Sequence, residues 1–160
     1  QPAFTSASPF RRQRAIVNMG ESGTKRYGVI DESGQFVVPP VYDEIRDLGE
    51  ERLALAHAVN PGQPSIGLNY AIADWEGRLL TDFAYTRVSA YQDGLASVAD
   101  GQDTFLIDSS GGAAPGYPKV EGSGSLTLKG NGLIEVQVDR RMSYVTRDGR
   151  TIWRDQDPPK

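Results

Sequence analysis

A tight turn closed by glycine, with short alternating apolar runs on either side, recurs in register along the chain. YGVIDESGQFV at Tyr27 matches YAIADWEGRLL at Tyr70, TFLIDSSGGAA at Thr104 and MSYVTRDGRTI at Met142. The closing glycines Gly34, Gly77, Gly111 and Gly149 stand 43, 34 and 38 residues apart. Two further motifs follow the first three copies. One is YDEI at Tyr42, YTRV at Tyr85 and YPKV at Tyr117; the other is RLALA at Arg52, GLASV at Gly94 and GLIEV at Gly132. A chain that returns to one hairpin at this spacing is a tandem array of a single supersecondary unit.

Each copy has a physical reading. Tyr27, Val29, Phe36 and Val38 alternate with their neighbours at the period of half-buried strands. Asp31, Asp74 and Asp108 open the first three turns, where a carboxylate accepts bonds from turn amides, and the closing glycine supplies positive φ. Pro39-Pro40 lacks ladder donors and ends the second strand. LALAHAV reads as a third strand, so each copy is a three-stranded antiparallel meander, with one short extra strand around YDEI as the alternative. The predicted class is all-β: a single domain over 1–160, its meanders stacked as an open solenoid or a partial propeller-like array. The expected repeats are a partial one at 10–26, then 27–69, 70–103 and 104–141, and a partial one at 142–160.

The first full copy, RYGVIDESGQFVVPPVYDEI followed by LGEERLALA, resembles the WG (also KWG) repeat of bacterial proteins. Lys25-Arg26-Tyr27-Gly28 stands where that family has lysine-tryptophan-glycine, with Tyr27 in place of tryptophan. Later copies depart further, with Tyr70-Ala71, Thr104-Phe105 and Ser143-Tyr144 at the same place. The resemblance implies a β-repeat architecture without a shared catalytic site.

Composition narrows the function classes. The chain has 160 residues, no cysteine and one histidine, which excludes disulfides and thiolate chemistry. No apolar run is long enough to span a bilayer, so no membrane insertion is expected. A net charge of −4 conceals an asymmetry, because residues 27–103 hold thirteen acidic and four basic side chains. The basic cluster Arg11-Arg12-Gln13-Arg14 sits in a chain of pI about 5.0, which argues against nucleic acid. The sequence begins with Gln1 and shows no signal-peptide pattern, as expected either of a cropped piece or of a processed form whose targeting segment has been removed. The compartment stays open, with a periplasmic or secreted setting favoured.

The candidate chemistry is sparse. His57, with Ser65 or Asp43 imagined beside it, is the one route to a hydrolase. A packed strand-end histidine explains it better, and neither a metal site nor a cofactor is expected. Gly20 to Lys25 lacks phosphate-loop spacing and reads as an inter-repeat turn. Trp75 stands at a turn tip where other copies carry Glu32, Ser109 and Arg147. Its ring either faces a partner or folds onto a neighbouring repeat. The long connection after Val59, with Asn60, Gln63, Ile66 and Leu68, is a second candidate contact, joined by Asp43 and Glu44. The expectation is a non-catalytic protein-interaction module for a partner with a basic surface. The alternatives are a structural or targeting spacer in a larger exported protein, or a hydrolase.

Overall fold

The computed structural model describes residues 4–20 and 25–154; of the inter-repeat turn read at Gly20 to Lys25, residues 21–24 lie outside them. Its regular elements are all strands, arranged in four antiparallel sheets. The chain divides into two compact units, Gln1–Thr86 and Arg87–Lys160, and their boundary falls inside the second sequence repeat.

The first unit holds two sheets. One runs in order through β1 (Ser6–Ala7), β2 (Arg14–Met19), β3 (Arg26–Asp31) and β4 (Phe36–Tyr42). β4 does not end at Pro39-Pro40 as expected from sequence: it ends its sheet, where missing donors are tolerated, and runs on to Tyr42. The other comprises β5 (Glu44–Gly49), β6 (Arg52–Ala58) and β7 (Leu68–Asp74). The second unit holds β8 (Arg87–Val88), β9 (Leu95–Ala99), β10 (Asp103–Asp108) and β11 (Val120–Glu121) in one sheet. Its other sheet is β12 (Gly124–Leu128), β13 (Leu133–Val138), β14 (Arg141–Thr146) and β15 (Thr151–Arg154).

The sheets are out of phase with the sequence repeats, and three of the four carry four strands rather than three. The reason lies in RLALA. Leu53, Ala54, Leu55 and Ala56 are fully buried, so β6 must be paired along both edges. It pairs with β5 from its own repeat and with β7 from the next one, Leu53 opposite Ala73 and Leu55 opposite Ala71. A sheet therefore joins the end of one repeat to the hairpin that opens the following one. Tyr42 sits opposite Tyr27 and Tyr85 opposite Tyr70, which closes each hairpin at its tyrosine. In the third copy Val120, not Tyr117, occupies that place, opposite Thr104, because the connection there is longer.

In the first unit one core cluster is built from Val29, Val38, Ile45, Leu53, Leu55 and Ala73. A smaller one gathers Ala15, Val17 and Ile30, with Phe4 and Phe36 against it. The second unit is centred on Leu95, Leu106, Val120, Leu126, Leu128 and Ile134. Burying each large aliphatic side chain contributes about 1.5–3 kcal/mol. Gly28 has a packing reason: a Cβ there would lie 2.7 Å from the Val38 carbonyl oxygen. The β3–β4 register shifts on both sides of Val29, which brings the two backbones that close.

Candidate binding cleft around Trp75

The Asp–x–x–Gly turns are held as their chemistry demands. The Asp31 carboxylate accepts from the Ser33 amide (2.9 Å), the Ser33 hydroxyl (2.5 Å) and the Gln35 amide (3.1 Å). Asp108 repeats the arrangement with Ser110 and the Gly112 amide. The Ser33 hydroxyl bond, followed by the Gln35 amide, holds the Asp31 carboxyl below its ordinary value. At Asp108 the Ser110 hydroxyl leads in the same direction. The four closing glycines take φ of 84°, 84°, 85° and 87°.

Asp74 organises the Trp75 turn. It accepts from the Glu76 amide at 2.9 Å, the Arg78 amide at 3.0 Å and the Arg78 Nε at 2.9 Å. Burial alone would raise the Asp74 carboxyl, but the Arg78 and Glu76 bonds outweigh it and hold it low. The turn throws Trp75 sideways, where the half-buried ring packs against the Val29–Leu53 core cluster. Of the two orientations open from sequence, the ring folds back onto neighbouring strands.

Trp75 separates two cavities. The first, about 390 Å³, is walled by Arg11, Arg12, Asp47, Gly49, Glu50 and Glu51. The second, about 670 Å³, is bordered by Arg12, Arg14, Glu51, Arg52, Asp74, Glu76, Arg78, Leu79 and Leu80. The walls come from two hairpin tips, the two-residue turns Arg12-Gln13 and Glu50-Glu51. Arg11 pairs with Arg14 across the first and Gly49 with Arg52 across the second. All four turn residues have positive φ: 48° and 66° at Arg12 and Gln13, 48° and 65° at Glu50 and Glu51. Two successive left-handed residues make the hairpin turn that favours Asn-Gly.

Ion pairs tie the tips together. Arg12 bonds Glu51, Arg11 Nε lies 3.8 Å from the Asp47 carboxylate, and Arg14 Nη2 donates to both Glu76 oxygens at 3.0 and 3.2 Å. The basic cluster near the start of the chain is thus spent on the acidic block. Across the two cavities Arg11, Arg12, Arg14, Arg52 and Arg78 face Asp47, Glu50, Glu51, Asp74 and Glu76, a balanced set around one indole.

The other residues singled out from sequence lie elsewhere. Asn60, Gln63 and Ile66 are exposed on a loop closed by the Val59 amide donating to the Gly67 carbonyl at 2.9 Å. Leu68 is half-buried and begins β7 opposite Ala58, so it belongs to the strand. This loop and Trp75 stand at opposite ends of β7. Asp43 accepts from Arg26 Nη1 at 3.1 Å and the Ala58 amide at 2.8 Å. Glu44 accepts from the Tyr70 hydroxyl at 2.7 Å, a hydroxyl whose pKa is raised by burial and then by that carboxylate. His57 is exposed and lies tilted against both Tyr42 and Phe83, ring centres 4.9 and 4.8 Å away.

Arg11, Arg12, Arg14, Asp47, Glu50, Glu51 and Glu76 escaped the sequence reading as site residues. Aligning the turn before each third strand would have flagged two of the tips. That place holds Asp93-Gly94 and Asn131-Gly132 in later copies but Arg12-Gln13 and Glu50-Glu51 in the first two.

Recurrent antiparallel meanders closed by aspartate-capped glycine turns define an all-β repeat protein. Residues 27–55 match the profile of the "WG containing repeat", and the chain carries a WG repeat there. No curated protein matches the sequence. Among solved structures the chain is similar to the "AfRom2 CNH domain" (13% identity, TM-score 0.41), over 94% of this chain and 53% of that one. It thus spans about half the length of that chain, and no functional argument follows from the likeness.

Proposed function

We propose that the chain is a non-catalytic protein-interaction module whose recognition surface is the cleft around Trp75. One observation carries this reading. Arg12-Gln13 and Glu50-Glu51 hold left-handed backbone at both tips beside the indole without a glycine, where later repeats place Gly94 and Gly132 at the second position. Each non-glycine residue held there costs about 1–2 kcal/mol, a strain that collects at functional surfaces.

The partner is a protein. Residues 1–86 carry eight basic and eleven acidic side chains, so the field around this unit favours a basic surface at long range. Inside the cleft the charges balance, so the bound surface must offer both signs and exchange ion pairs with the arginines. Catalysis by His57 finds no support, because the Asp43 carboxylate is committed to Arg26 and the Ala58 amide. The test is affinity capture with the full chain, then measured affinity of the recovered protein for the wild type and for Trp75→Ala. Loss of at least about tenfold supports the reading; unchanged affinity rejects it.

A further inference from the structure

We propose that the outer edge of β15 is a second docking site, independent of the Trp75 cleft, for an extended acidic segment of a partner protein. That segment would add to the fourth sheet as a fifth strand. β15 is the terminal strand of its sheet, and all four of its residues are exposed. Alternate residues of an edge strand point their N–H and C=O groups outward, a ready template for another strand. Among the other strands that end their sheets, β4 contains Pro39-Pro40, and β1, β8 and β11 have two residues each. β7 is bridged by Leu79 and Tyr85, β5 carries a register shift between Asp47 and Gly49, and β12 buries Leu126 and Leu128. β15 has no proline, and both of its apolar residues are open, Ile152 at 55% and Trp153 at 49% exposure. Trp153 leans on Tyr144, ring centres 5.9 Å apart, so an apolar residue laid opposite it would extend an aromatic row.

Charge selects the occupant. Residues 124–154 carry six basic side chains (Lys129, Arg140, Arg141, Arg147, Arg150, Arg154) against Glu135, Asp139 and Asp148, net +3 in a chain of net −4. Glu135 and Lys129 pair with each other, and Arg147 pairs with Asp93. Arg150 and Arg154 bracket the strand, so an incoming segment with carboxylates at its two ends and apolar residues between them fits by charge and by pattern. A second copy fits poorly. Antiparallel pairing of β15 with itself about Ile152 would set Arg150 of one copy opposite Arg154 of the other.

The test is fluorescence anisotropy of the full chain with a labelled eight-residue peptide alternating glutamate and valine, beside a lysine–valine control. Hydrogen exchange is followed in parallel. The glutamate peptide is expected to bind, to protect amides within Thr151–Arg154, and to bind at least about tenfold more weakly to Arg150→Glu/Arg154→Glu. Arg150→Lys/Arg154→Lys should retain binding, and unchanged circular dichroism shows that the reversal variant folds. The proposal is overturned by no binding, by equal binding of both peptides, or by protection confined to other strands. Peptide-free dimerisation abolished by the same reversal would also overturn it, assigning the edge to a second copy.

Discussion

Arg12 bonds Glu51 across two hairpin tips, and both residues hold left-handed backbone, φ 48° and 65°. Their side chains are largely exposed, at 76% and 52%, and an ion pair in that setting stabilises by at most about 1 kcal/mol. Two left-handed non-glycine residues cost about 1–2 kcal/mol each. The pair therefore does not offset the strain of the backbone that presents it, and stability alone does not explain these turns.

Trp75 packs against the core cluster, so Trp75→Ala is expected to lower stability by about 2–3 kcal/mol, below the cost of deleting a fully buried indole. Trp75→Phe should lose less than half of that. Guanidinium denaturation of the three proteins measures it. A loss under about 0.5 kcal/mol for Trp75→Ala would show a ring without structural weight.

Two turn glycines with the same φ have different surroundings. A Cβ on Gly34 meets nothing within 4 Å, whereas one on Gly77 would lie 3.0 Å from Val38 Cγ2. Gly34→Ala should cost about 1–2 kcal/mol from backbone strain alone. Gly77→Ala should cost about 1 kcal/mol more, because the buried Val38 must shift. Equal costs from thermal melts would contradict the close approach.

Asp31 and Asp108 are held below their ordinary value of 3.8 by bonds that the folded turn supplies. Each stabilises the fold fully above that pH, and the contribution is lost as pH falls through the lower, folded-state value. Stability should therefore stay level from this source between about pH 7 and 5 and decline below about pH 4. Asp31→Asn/Asp108→Asn should show a shallower acid decline in denaturant melts. An unchanged slope would remove these carboxylates from the acid response.

The hairpins were legible because a turn is local: Asp31 and Gly34 meet within four residues, and so do Asp74 and Gly77. Sheet phase was not, since the exchange of β6 between two repeats depends on burial along both of its edges. Nor was the cleft. Arg14 and Glu76 are 62 residues apart, and no spacing announces that a basic tip near the start of the chain will neutralise the acidic block. The Trp75 ring was open to two orientations because tip position alone does not say which neighbour it meets.

Glu50→Asn/Glu51→Gly installs the residues that this turn favours while removing both carboxylates from the cleft. Stability and affinity for the captured partner, measured on the same preparations, test the interaction surface most directly. The account predicts that the variant is more stable by about 0.5–1 kcal/mol, relieved strain exceeding a weak ion pair. It also predicts that the same variant binds at least about tenfold more weakly. A variant that is more stable and binds as well as the wild type would contradict it.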